Sequence, residues 1–393
     1  MRILYVAIDQ TVPGSLGGSI HVRSVAEGLA ARGHDVHVAT RLREPLASLA
    51  ASAGRIGGPW PTGVVTWHAM SPPLGHPMLR WMRRGEVRTL ARAMRADVII
   101  ERYYNFGGEG VMAAADLGLP AVLEVNAPIV DHRGSAKARI DRTLVFEPMR
   151  RWRDRICRQV DLFVTPTSRI LPRWIDPTRV LEVEWGADTH AFRSGLDAPP
   201  SFPNDASRIW CVFAGAFRPW HGAVQLSEAL ARLHASGDHR FGAVFIGDGP
   251  ERPAVEHAAA GVPAIHFTGA LPHDSLPAYL AAADIGVAPF DPSRHSSLSL
   301  AFYWSPLKVF EYMAAGLPVV APALPRLATL VEHEREGVLY DSRDPHGLDA
   351  ALVSLADSTR RRRLGAAARE RVVRDFSWDV HCAKLDERLR TLT

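Results

Sequence analysis

Short apolar runs recur along the chain between longer segments with helical spacing. A first series is Ile3 to Ile8, Val36 to Ala39, Val64 to Trp67, Val98 to Ile100, Ala121 to Val125, Leu162 to Thr165 and Val180 to Val183. A second is Ile209 to Ala214, Ala243 to Ile246, Ile265 to Thr268, Ile285 to Ala288, Val319 to Ala321 and Val338 to Tyr340. Strand-like runs alternating with helix-like segments predict an α/β fold with parallel sheets covered by helices. The clearest helix carries Val22, Val25, Ala26 and Leu29 on one face, with Ser19 as its expected N-cap and Gly33 as its stop.

Between Phe192 and Ser207 the alternation lapses into a stretch holding Gly195, Pro199, Pro200 and Pro203, which reads as a linker between compact units. The expected organisation is a first domain over 1–190, a linker over 191–207, a second domain over 208–375 and a final helix over 376–393. The arginine-rich Thr359 to Arg374 segment favours a helix, and Phe376 and Trp378 precede the last one.

With 393 residues the chain is long enough for about two or three domains. Its 47% hydrophobic and 22% charged residues suit folded cores throughout. No apolar stretch reaches the roughly 20 residues of a spanning helix. The first apolar run is short and lacks a cleavage site, so it reads as a strand and not an export signal. Cys157, Cys211 and Cys382 lie far apart and form neither a disulfide framework nor a paired-cysteine zinc site, which suits a reducing cytoplasm. The formal charge of +4 mildly favours anionic ligands or an anionic membrane surface. Basic residues are not interleaved with aromatics as in nucleic-acid binding, so no nucleic-acid partner is expected.

The most informative stretch is SPLKVFEYMAAGLPVVAP, Ser305 to Pro322. Ser305 suits an N-cap, Pro306 the first helical position, and Gly316 with Pro318 the stop. The helix start, with Leu307 and the cation of Lys308 in its first turn, suits a phosphate. Glu311 lies one turn on, about 4.5 Å along the axis, a step that matches phosphate to ribose, and a carboxylate can accept from both ribose hydroxyls. A solvated Lys–Glu pair on a surface helix is the equally weighted alternative. In FIGDGP, Gly247 and Gly249 permit a tight turn more readily than they touch a ligand. GSLGGSIH, Gly14 to His21, joins the first strand to the first helix at the usual ligand edge of an open α/β sheet. It lacks the GxGxxG spacing of a dinucleotide fingerprint. No HExxH, P-loop or GxSxG elbow occurs, and neither a metal nor a bound cofactor is expected.

These residues resemble the retaining glycosyltransferases of family 4, which have the two-Rossmann-domain GT-B fold. The resemblance runs from the GG loop and LAARGHDVHVAT through ERYYNFGGEG and LEVNAPIV to FAGAFRPWHG, FIGDGP, FTGALPHDSLPAYLAAADIGVAPF and SPLKVFEYMAAGLPVVAP. It implies two Rossmann-like domains facing each other across a cleft, with the last helix crossing back to the first. By the same resemblance Glu311 binds the ribose of a nucleotide-sugar, while Lys308 and the helix start at Ser305, Pro306 and Leu307 bind its diphosphate. Gly17 and Gly18 lie near diphosphate and acceptor, Gly215 and Gly247 belong to the nucleotide side, and Ala270, Leu271 and Pro272 border the base. Asn126, His132 and Tyr303 are the candidates for acceptor or donor-sugar contacts.

Two departures from the family pattern stand out. Tyr303 occupies the place of a glutamate that contacts the sugar, and the usual Arg and Lys after the first strand of the second domain are Ala216 and His221. Arg218 is the expected substitute cation. The implied reaction is metal-independent transfer of a sugar to an acceptor hydroxyl with retention. Arg218, Lys308 and the helix start would stabilise the departing diphosphate, whose oxygen would help deprotonate the acceptor without a protein base; His21, which reads slightly more readily as a core or surface histidine, or His132 could assist. The acceptor class implied is a small natural product, a cyclitol, or a surface glycan or lipid intermediate. The competing readings are a nucleotide-sugar epimerase of related fold and a catalytically silent nucleotide-sugar-binding module. The basic stretch from Arg133 to Arg158, with Arg139, Arg142, Arg150, Arg151, Arg153 and Arg155, reads as a solvated helix in preference to an amphipathic surface for anionic lipid. Peripheral contact with the inner membrane surface and the oligomeric state stay open.

Overall fold

The computed structural model describes residues 1–14, 16–42, 65–104, 106–132, 135–144, 146–295 and 302–393. Val64, expected to open the third strand, and Arg133, expected to open the basic stretch, lie outside the described residues. The chain divides into two compact units: Met1–Trp185 with Tyr303–Ser305 and Trp378–Thr393, and Gly186–Phe302 with Pro306–Ser377.

Unit 1 is built on a seven-stranded sheet in the order β3-β2-β1-β4-β5-β6-β7, with every neighbouring pair parallel. Its strands are β1 (Arg2–Val12), β2 (Asp35–Leu42), β3 (Val65–Ala69), β4 (Val98–Arg102), β5 (Ala121–Glu124), β6 (Leu162–Thr165) and β7 (Val180–Glu182). The central runs Ile3–Ile8, Val98–Ile100 and Ala121–Leu123 are fully or almost fully buried, as parallel strands covered on both faces must be. Among the described residues this part of the chain holds five helices: α1 (Gly17–Ala30), α2 (Arg84–Ala93), α3 (Glu109–Leu117), α4 (Ala136–Thr143) and α5 (Pro148–Arg158). Helix α1 buries Val22, Val25, Ala26 and Leu29, the predicted face. Its N-cap is Leu16 and not Ser19, which lies buried inside the first turn.

Unit 2 holds a six-stranded parallel sheet in the order β10-β9-β8-β11-β12-β13: β8 (Ile209–Ala214), β9 (Phe241–Ile246), β10 (Ile265–Gly269), β11 (Ile285–Val287), β12 (Val319–Pro322) and β13 (Gly337–Tyr340). Its helices are α6 (Ala223–Ala235), α7 (Arg252–Ala258), α8 (Leu276–Ala281), α9 (Leu307–Ala314), α10 (Leu327–Leu330), α11 (Gly347–Ser354) and α12 (Ser358–Asp375). One core joins Phe213 and Phe245 from the sheet to Leu226 and Leu230 of α6, Leu352 of α11 and Leu364 of α12. Both sheets reverse their strand order beside the first strand, at β1/β4 and β8/β11, the switch points where open α/β sheets take ligands at the carboxyl ends of strands.

The unit boundary falls at Trp185/Gly186, ahead of the proline-rich 191–207 stretch. That stretch packs within unit 2: Phe192 and Phe202 are buried, and Arg369 of α12 donates to the Phe192 and Thr189 carbonyls. The last helix, α13 (Trp378–Arg390), belongs to unit 1, where Cys382 packs on Gly28 of α1 and Asp386 pairs with His34 at 2.7 Å. All three cysteines are buried and free. Among the described residues no helix is long and apolar enough to cross a membrane.

Candidate active site

The carboxyl edge of the second sheet gathers most of the sequence-predicted residues. Strand β8 delivers Gly215 to Arg218, β9 delivers Gly247, and β10 delivers Ala270, Leu271 and Pro272. The ladder continues one residue past the strands, since Gly215 N–H donates to Ile246 O at 2.9 Å and Gly247 N–H to Gly269 O at 2.8 Å. These loops are therefore in register. Their backbones touch: a Cβ on Gly247, whose φ is +130°, would lie 2.0 Å from the Gly215 carbonyl oxygen, so only glycine fits there. Gly215, at φ +135°, opens toward Lys308, whose Nζ would be 3.1 Å from a Cβ at that position.

Helix α9 starts at Leu307 with Pro306 as N-cap and no side-chain cap bond. This corrects the expectation for Ser305. That hydroxyl is used inside unit 1, where it donates to Glu184 and accepts from Trp185 N–H at 3.0 Å. Tyr303, also part of unit 1, is buried against the Trp304 ring.

Lys308 is the unusual group. Its ammonium is buried without a hydrogen-bond partner among the described residues, 4.0 Å from the Phe213 ring centroid and 5.5 Å from that of Phe290. Burial pushes its pKa down to about 7, with Glu311 opposing. Cation–π contact offsets only part of the cost of such desolvation. Around it the family's cationic pattern is replaced by neutrality. His221, half-buried, donates from Nδ1 to the Ala216 carbonyl at 2.6 Å, and burial first, then Lys308, push its pKa down to about 3. Arg218 is exposed, its guanidinium 5.5 Å from the Trp220 ring centroid. Tyr312 in α9 accepts from Ala214 N–H at 2.7 Å, pinning the helix to the end of β8.

Glu311 is buried, with only 4% of its surface exposed, and is not part of a solvated surface pair with Lys308. Its Oε1 sits 2.7 Å from Nε2 of His273. His273 was not singled out by the sequence: one histidine among 17 carries no signal until the fold sets it against a carboxylate.

In unit 1 the structure places His21, expected beside the acceptor, in the interior. Its ring is fully buried, pairs with Glu124 and lies 4.5 Å and 5.3 Å from the Trp185 and Trp378 rings. Burial lowers its pKa against the pull of Glu124. Glu124 also accepts from Tyr5, Asn126 and Arg102, and burial of this carboxylate is outweighed by His21 and Arg102, which hold it well below the usual range. Asn126 is half-buried and accepts from Trp185 Nε1 at 2.7 Å. Gly18 backs directly onto Gln10, while Gly17 opens α1 and His132 is half-buried. Among the described residues no three His, Cys, Asp or Glu side chains gather as metal ligands would.

A family model described as Glycosyltransferase Family 4 matches residues 16–180, and one described as Glycosyl transferases group 1 matches residues 208–358. A D-inositol 3-phosphate glycosyltransferase of Salinispora tropica is 30% identical over 95% of this chain and 80% of its own length. The chain belongs to glycosyltransferase family 4. Solved structures agree on the GT-B fold of this family. The sucrose-phosphate synthase of Thermosynechococcus elongatus superposes with TM-score 0.73 at 20% identity, covering 100% of this chain and 98% of that one. Anabaena Alr3699/HepE, solved in complex with UDP and glucose, superposes with TM-score 0.70 at 17% identity over 100% of both chains. The family 4 chain is thus a glycosyltransferase, and the epimerase and silent-module readings give way to that assignment.

Proposed function

We propose that this enzyme moves a sugar from a nucleotide-sugar to a hydroxyl of a cyclitol phosphate, with retention and without a metal. The observation that carries the donor half is the buried, unpartnered Lys308 ammonium at the start of α9, one turn from a buried carboxylate. A diphosphate supplies the anion this ammonium lacks. The first N–H groups of α9 have no acceptor within the helix and add donors for the same phosphates. Breaking the anomeric C–O bond leaves the electron pair on the diphosphate. Fixed positive charge at Lys308, with Arg218 from the β8 loop, stabilises it in the role a metal would otherwise fill. The departing phosphate oxygen then takes the acceptor proton on the same face, which gives retention without a protein base. The inositol-phosphate relative supports the acceptor class, and the UDP-bound neighbour supports a nucleotide donor.

A thermal-shift panel of UDP, GDP and ADP tests the site. One diphosphate should raise the melting temperature, a ligand at 100 times its Kd adding about 2.7 kcal/mol. Glu311→Ala should weaken that ligand by at least about tenfold, the scale of one hydrogen bond to a charged group. No shift with any diphosphate, or wild-type affinity in the variant, would remove Glu311 and Lys308 from the donor site.

We further propose peripheral contact of unit 1 with an anionic membrane surface. Trp81, Met82, Met112 and Trp152 line a groove with Arg84, Arg88 and Arg155. Trp81 and Met82 are exposed; Arg84 and Arg88 are tied to Asp116, and Arg155 is exposed. Basic residues near anionic lipid contribute about 1 kcal/mol each. The protein should float with phosphatidylglycerol vesicles and not with phosphatidylcholine vesicles, and the paired change Trp81→Ser, Met82→Ser should abolish flotation. Equal recovery with both vesicles would refute it.

A further inference from the structure

Glu311 places a carboxyl group in a buried position, and a buried carboxyl group needs a counter-charge or hydrogen bonds around it. Among the described residues its side chain has one recorded hydrogen-bond partner, His273. That residue opens the single turn His273–Ser275, directly after the Ala270–Pro272 loop at the end of β10. Its Nε2 lies 2.7 Å from Glu311 Oε1, and among the described residues no second group donates to this carboxyl. Phe192 packs on the imidazole at 5.4 Å between ring centroids.

We infer that His273 is a positioning residue: it holds Oε1 of Glu311 so that Oε2 is presented to the vicinal hydroxyls of a nucleoside. This rests on the reading of Glu311 as the ribose contact and names how that contact is built. An ionised carboxylate is acceptor-only and suits the two hydroxyls of a diol better than the protonated acid, which turns one oxygen into a donor, and a second requirement is that its rotamer be fixed before the ligand arrives. His273 meets both. Burial opposes its protonation, but Glu311, Asp274 and Asp188 outweigh burial and raise its pKa, so the charge facing Glu311 is favoured by three carboxylates.

The test compares Kd for a nucleoside diphosphate and its 2′,3′-dideoxy counterpart by calorimetry, using whichever of UDP, GDP or ADP stabilises the wild type. Wild type should lose at least tenfold in affinity when the hydroxyls are removed. His273→Ala should cut that discrimination to within about threefold while leaving the dideoxy Kd unchanged, which also shows that the variant is folded. His273→Gln, whose amide N–H can donate to Glu311, should restore at least half of it. Wild-type discrimination in His273→Ala, with Glu311→Ala losing it, would overturn the role of His273 alone. Discrimination retained in Glu311→Ala would instead overturn the ribose reading beneath it.

Discussion

Replacing Lys308 with methionine should stabilise the ligand-free protein and cripple the enzyme. The unfolded lysine titrates near 10.4, whereas in the folded chain burial holds it at about 7. Between these values the unfolded state binds more protons than the folded one, so wild-type stability rises as pH rises from 7 toward 10. Methionine keeps the length of the side chain without the charge and removes that dependence. A pKa unit corresponds to about 1.4 kcal/mol, and each kcal/mol shifts a melting temperature by about 2 to 4 °C in a chain of this class. We expect the variant to melt at least about 4 °C higher at pH 7, with the gap closing toward pH 10. Function should move the other way. Loss of one preorganised donor to developing negative charge costs about 2.7 to 4 kcal/mol, or 10²- to 10³-fold in kcat, and the thermal shift caused by a diphosphate should shrink. Melting curves from pH 6 to 10 and single-turnover transfer measure both. A variant with unchanged melting and wild-type turnover would contradict the whole assignment of this ammonium.

Such an opposition between stability and activity is what a ligand site built from unpaired charge predicts, and it bears on what the sequence could disclose. Both sheets were legible because buried parallel strands are apolar runs, as in Ile209–Ala214 and Ala121–Leu123. The position of Lys308 and Glu311 on one helix was legible from spacing. Their burial was not, because it depends on Phe213, Phe290 and the β8 loop, which meet α9 only in the folded unit. Ser305 had every local property of a cap, yet Glu184 and Trp185, 121 and 120 positions away, take its hydroxyl. Tertiary partners outcompeted a local one. His21 failed for a related reason: a glycine-rich loop suggested access, while Trp185 and Trp378, distant in sequence, enclose the ring. The boundary at Trp185 was hidden because contacts across more than 170 residues, such as Arg369 with Thr189 and Phe192, fasten the proline-rich stretch to unit 2.

Gly247→Ala should be a strongly damaging methyl addition on this edge of the sheet. Two costs combine. The backbone at φ +130° lies where L side chains are strained by about 1–3 kcal/mol. The new Cβ would also sit 2.0 Å from the Gly215 oxygen and 2.9 Å from its carbonyl carbon. Those atoms are backbone, held by the Gly215 to Ile246 hydrogen bond, so relief requires the β8 and β9 loops to part. Overpacking of this kind adds about 1–3 kcal/mol, for a total of roughly 3 kcal/mol or more. Parting the loops also withdraws Gly215 from Lys308, so diphosphate affinity should fall in whatever fraction remains folded. Gly261→Ala isolates the first cost, since Gly261 has φ +83° and nothing within 4 Å of its would-be Cβ. It should lose only about 1–2 kcal/mol and keep full affinity. Urea midpoints and calorimetric diphosphate titrations of the two variants make the comparison. If Gly247→Ala unfolds no more readily than Gly261→Ala, the touching backbones do not hold the loops in place, and the registered edge that supports the donor site loses its physical basis.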